Sequence, residues 1–259
     1  MNVVTYDGTM EGLLTAIFEI YEYKISTPHI CDEAVANGSL FGNVHTVHTN
    51  TEKTNRVYKK LTDKLSKTSM LQVYSTFLSE LPGIENVLFR YIQYVLASPQ
   101  SVEYDYSNAD VLLVQQTSKK VHREKHRMEA FIRFQLTADQ LYYAIIQPDF
   151  NVLPLISNHF QKRYADQRWL IYDSQRKYGI FYDLEKVVEV EMSFNMHGSS
   201  TRSVASLYDV NEDLYQKLWQ QYFNSVNIAP RKNMKLHIRH MPKRYWRFLT
   251  EKNVPFSNR

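Results

Sequence analysis

The sequence predicts an α+β fold: an antiparallel sheet of about five strands between residues 127 and 195, packed with a helical N-terminal portion and a C-terminal helical segment. Three observations carry this. The apolar spacing changes from helical to strand-like near residue 127. The strand-like runs are rich in β-branched and aromatic residues. The links between several of them are two or three residues, such as "SQR" and "LE", which favours hairpins over parallel crossovers.

The elements follow in order. "VVTYD" reads as a short strand, and Asp7 is placed to cap a helix through Tyr23. Leu13, Ile17, Ile20 and Tyr21 share one face of that helix. A looser segment runs through His48, with a strand near "GNVHTVHT". Three helices follow, "EKTNRVYKKLTDKL", "SMLQVYSTFLSEL" and "GIENVLFRYIQYVL", punctuated by Ser66 and by Pro82-Gly83. Residues 98–106 read as a linker, and a long helix is expected from Asn108 to Arg127. This divides the chain into a mainly helical portion, 1–97, and an α+β basic portion, 107–259, which can equally form one continuous domain.

In the second portion "MEAFIRFQL", "QLYYAIIQP", "RWLIYDS", "KYGIFYD" and "KVVEVEMSF" read as strands, with "NVLPLISNHFQKRYAD" a helix among them. "HGSSTRS" is a polar loop and "DLYQKLWQQYFNSV" a helix. Pro242 suits the first turn of a final short helix.

Composition excludes several classes. The single cysteine, Cys31, leaves no intramolecular disulfide and no multi-cysteine metal or iron–sulfur site within this chain. No resident cofactor or metal is expected. No secretion signal opens the sequence, and no apolar run has the length of a membrane span. A cytoplasmic protein without a membrane partner is the expectation. Only 7 glycines occur, in neither a P-loop nor a dinucleotide fingerprint. "DGTMEG" offers either an anion-binding helix start or a tight turn with a close helix contact.

Charge is unevenly placed. Residues 1–110 hold 8 Lys and Arg against 13 Asp and Glu, whereas residues 111–259 hold 23 against 14. The second portion therefore suits an anionic partner. "KKVHREKHRM" sets His122 and His126 one helical turn apart, but five cations around them repel a divalent ion. A phosphate contact through His126 and Arg127 fits the same residues. From Arg231 to Arg247 there are seven Lys or Arg, two His and no acid. Packing accounts for Tyr245, Phe248 and Leu249 as one helical face, but not for the missing acids. Arg231, Lys243, Arg244 and Arg247 are candidates for phosphate, and Tyr245 and Trp246 for base stacking. The richest polar mixture is residues 147–179, where His159, Arg163, Gln167, Trp169, Asp173 and Arg176 form either a catalytic pocket or a salt-bridged helix–hairpin corner.

Five ordered blocks, "YDGTMEGLLTAIFEIYE", "FLSELPGIENVLFRYI", "REKHRMEAFIRF", "QPDFNVLPLISNHFQKRYADQRWLIYD" and "HMPKRYWRFLTE", resemble a bacterial family of DNA-metabolism proteins over nearly the whole chain. The resemblance implies a setting beside a DNA-repair radical-SAM protein, and in some relatives fusion to a uracil-DNA-glycosylase-like domain. It does not extend to such a domain here, and one cysteine is too few for a radical-SAM cluster. Phe150 stands where the family tends to have a second histidine after "PD". The implied function is an accessory DNA-repair protein that binds DNA and works with a radical-SAM partner. The alternatives are an enzyme acting on damaged or modified nucleotides, or a scaffold that docks the partner.

Overall fold

The computed structural model describes residues 2–33, 43–138, 140–191, 238, 240–249 and 252. The chain divides into two compact units, Met1–His122 and Arg123–Arg259.

The first unit is built on a parallel sheet. β1 (Asn2–Tyr6) lies between β2 (Pro28–Asp32) and β3 (Asn43–Thr46), pairing in parallel with both. α1 (Met10–Glu22) connects β1 to β2 and buries Leu13, Leu14, Ile17 and Ile20. Each such side chain contributes about 1.5–3 kcal/mol by leaving water. Tyr21, expected on that face, is largely exposed, and Leu14 takes its place. The helix is capped by Thr9, whose Oγ1 accepts from Gly12 N at 2.9 Å. Asp7 instead accepts from the Thr9 amide and hydroxyl and from Thr49 Oγ1. A Cβ on Gly12 would lie 2.1 Å from the Asp7 carboxylate. The glycine therefore permits a close contact with the chain's own acid.

α2 (Thr51–Lys64), α3 (Lys67–Phe77), α4 (Ile84–Ala97) and α5 (Ala109–Phe131) follow, at the sequence-predicted places. Asn50 and Ser66 cap α2 and α3 through their side chains. Val57, Leu61, Leu88, Ile92 and Val95 join α1 and β1 in the core. The stretch 98–106 is tied into this unit: buried Glu103 accepts from Ser66 N, Ser66 Oγ and Ser69 Oγ at 2.6–2.7 Å. On β2, Ile30 exchanges two hydrogen bonds of 2.9 Å with the Asn86 side chain of α4.

The second unit holds a five-stranded sheet in the order β4 (Gln135–Leu136), β5 (Tyr142–Ile146), β6 (Trp169–Asp173), β7 (Tyr178–Tyr182), β8 (Val187–Glu191). The α+β class and the mostly antiparallel five-stranded sheet are as expected. β6–β7 and β7–β8 are hairpins on the short links. Two details differ from the sequence-based expectation. β5 and β6 pair in parallel, because α6 (Leu153–Arg163) carries the chain back to the starting end of the sheet. "MEAF" continues α5, supported by the Lys125–Glu129 pair at 2.9 Å. Only Gln135–Leu136 of that stretch form a strand. After Pro242 the chain forms a short 3-10 helix, Lys243–Phe248. The polar loop and helix expected at 197–203 and 213–226 lie outside the described residues, as does Arg231.

Candidate nucleic-acid interface

Met128 of α5 and Ile132, just past its end, form a buried stripe in the second unit, and Glu124 stands on the same face one turn earlier. An apolar residue would be the ordinary occupant. Glu124 is instead a carboxylate, 1% exposed, and four donors reach it. Its Oε1 accepts from the Asp149 amide at 3.0 Å and from the Tyr245 hydroxyl. Its Oε2 accepts from Arg244 Nη2 at 3.1 Å and from Arg127 Nη1 at 3.4 Å. About four lone-pair sites are available on a carboxylate, so this one is fully used.

The segment 147–150 is held from both sides. Arg176 donates to the Pro148 and Asp149 carbonyls at 3.2 and 3.3 Å and pairs with buried Asp173 at 2.9 Å. Asp173 Oδ1 in turn accepts from the amides of Gln175 and Arg176, closing the β6–β7 turn. The Asp149 carboxylate then meets Arg244 Nη2 at 2.7 Å. Burial disfavours the Arg244 charge, but Tyr245, Glu124 and Asp149 outweigh it and hold the guanidinium more firmly protonated than usual. Burial, with the Glu124 carboxylate adding to it, pushes the Tyr245 hydroxyl well above the ordinary tyrosine range. It remains a donor.

This places the sequence candidates in distinct roles. Tyr245 is 2% exposed, with Phe131 at 6.1 Å, and its ring is unavailable to a base. Arg244 is committed to two carboxylates and lies 4.5 Å over the Tyr245 ring. Arg127 shares Glu124 with it, and His126 is exposed with Nδ1 3.1 Å from Glu129. The outer face of the 3-10 helix differs. Lys243 and Arg247 are exposed and Trp246 is half-buried. The Lys243 and Lys252 ammonium groups lie 6.0 and 5.1 Å from the Trp246 ring centre. The Arg247 guanidinium lies 4.6 Å from the Phe248 ring, and Trp246 Nε1 donates to the Met241 carbonyl at 3.0 Å.

Of the six candidates for a catalytic pocket, only Asp173 and Arg176 bond one another. Trp169 is fully buried among Phe134, Phe160 and Tyr182. It stands four residues before Asp173 on β6, about 13 Å away at the rise of a strand. His159 Nδ1 lies 3.9 Å from Glu129 on α5, and Arg163 lies over Tyr164. Gln167 is half-buried in the link between α6 and β6. The set is a salt-bridged corner and an aromatic core rather than one convergent cluster. Sequence reasoning missed Glu124 as the organising residue; its signal was an acid on the stripe of Met128 and Ile132.

Among known proteins, a family described as a domain of unknown function, DUF4130, matches residues 82–251. No curated protein matches the chain. Among solved structures, the pGpG-specific phosphodiesterase PggH from Vibrio cholerae aligns with 87% of this chain and 99% of its own, at 9% identity and a TM-score of 0.35.

Proposed function

The chain belongs to the DUF4130 family, and from its own surface chemistry we propose that it is a nucleic-acid-binding accessory protein of DNA metabolism. The observation that carries this is the outer face of the 3-10 helix. Trp246 is flanked there by the Lys243 and Lys252 ammonium groups, beside Arg247 on Phe248. Cations gathered over aromatic rings on one exposed face suit a phosphate backbone. Lys243, Trp246 and Arg247 are the primary contacts, and His126 and Arg127 extend the basic face along α5. Buried Tyr245 and ion-paired Arg244 anchor the helix to Glu124 and Asp149. The radical-SAM partner rests on the sequence resemblance alone.

The test is DNA binding by the chain, alone and purified with a radical-SAM protein encoded beside it, at two salt concentrations. Binding should weaken steeply with salt, and Lys243→Gln with Arg247→Gln should lower the log–log slope by about 1 for each charge removed. Salt-independent binding, or none in the complex, refutes the proposal. Co-purification without DNA affinity selects a scaffold instead.

A further inference from the structure

An open pocket of about 530 Å³ lies in the first unit, lined by Tyr23, Lys24, Ser26, Val44 and His45 among others. Its size falls within the range of small-molecule sites. Two features mark it as more than a surface depression.

The first is Lys24. α1 ends with Tyr23 N bonded to the Glu19 carbonyl and Ile25 N to the Ile20 carbonyl. This closure requires a left-handed residue between them, the place glycine normally takes. Lysine holds it here, at φ +52°, against its backbone preference. Its side chain is exposed and makes no ion pair among the described residues. A strained, unpaired cation at a pocket rim points to a function for the side chain.

The second is a buried polar support. Glu19, 9% exposed, bonds His45 Nε2 at 2.7 Å and Lys53 Nζ at 2.9 Å. This orients the imidazole and leaves Nδ1 as the ring nitrogen uncommitted to Glu19. Tyr23 stands edge-on to His45 at 5.5 Å with most of its surface open. The pocket thus combines an aromatic wall, a free cation, an oriented imidazole and a hydroxyl.

We infer that this pocket binds a ligand of the nucleotide class, with the base against Tyr23 and the phosphate on Lys24 and His45. The site is separate in sequence from the proposed nucleic-acid surface and does not depend on it.

Calorimetric titration of the full chain with a nucleoside 5′-monophosphate, the same nucleoside without phosphate, and inorganic phosphate tests this. The monophosphate should bind saturably with Kd below about 1 mM, and each fragment at least about tenfold more weakly. Lys24→Gly should weaken binding about tenfold while raising Tm by about 2 °C, because the left-handed strain is relieved. Lys24→Arg should retain binding, as should the Lys243→Gln/Arg247→Gln chain, whose own defect concerns DNA. Absence of saturation at about 5 mM, wild-type affinity in Lys24→Gly, or equal affinity for phosphate alone overturns the inference.

Discussion

Glu124 and Arg244, 120 residues apart in the chain, meet at 3.1 Å in the second unit. The contact fixes the 3-10 helix to α5, and the same carboxylate receives the Tyr245 hydroxyl and the Asp149 amide. Glu124→Ala should therefore destabilise the protein by roughly 3 kcal/mol, chiefly by leaving the buried Tyr245 hydroxyl and nearby donors unmatched. Urea unfolding measures this. Glu124→Gln keeps one acceptor and should cost less; equal stability of Glu124→Ala and wild type would remove the node's structural role.

Arg244→Gln and Arg247→Gln should separate cleanly. The first removes a paired guanidinium and should lower Tm while changing the salt slope of DNA binding little. The second removes an exposed charge and should lower the slope with a smaller loss of Tm than the first. Parallel melting and two-salt binding measurements compare them.

Asp173→Ala should cost roughly 3–5 kcal/mol, because it breaks a buried pair and strips the β6–β7 turn of its acceptor. Arg176 would lose the partner that aims it at the Pro148 and Asp149 carbonyls. Amide hydrogen exchange should show faster exchange at 149–151 in a variant that remains folded.

Two carboxyls of the first unit give opposite pH responses. Burial, with Asp32 nearby, raises the Glu85 pKa. The native state then holds that proton more tightly than the unfolded chain. Its contribution is fully present below the ordinary glutamate value and is lost as pH rises through the raised one. Glu85→Gln should thus increase Tm at neutral pH and leave it unchanged below the ordinary glutamate value.

Burial works against the Glu103 charge, but bonds from Ser69 and Ser66 outweigh it and lower its pKa. Its contribution is present above the ordinary glutamate value and is lost as pH falls through the depressed one. Glu103→Gln should lose about 1–3 kcal/mol at neutral pH, with the difference shrinking on acidification. A pH series of thermal melts reads both.

Elements that carry their own signals were legible in the sequence. The short links "SQR" and "LE" and the breaks at Ser66 and Pro82-Gly83 are local chemistry, and β6, β7, α2 and α3 lie where those signals put them. β2 was not legible. "PHICD" has one buried residue, Ile30, and takes its pairing from β1, whose sequence lies more than 20 residues earlier. Likewise, the acid-free tail suggested a row of available cations. Arg244 is neutralised by Glu124 and Asp149, which no local window around Arg244 contains. Charge pattern located the basic surface, but only tertiary structure separates its anchors from its outward-facing charges.

The Asn86 amide bonds both backbone groups of Ile30, as a neighbouring strand would. Among the described residues β2 has β1 on one side only, so its other side is the natural place for a second chain to add on. The amide stoppers that edge at its centre, from a helix in the same unit. Asn86→Leu should keep the side-chain branching but uncover the Ile30 donor and acceptor, making self-association through β-strand addition a concentration-dependent hazard.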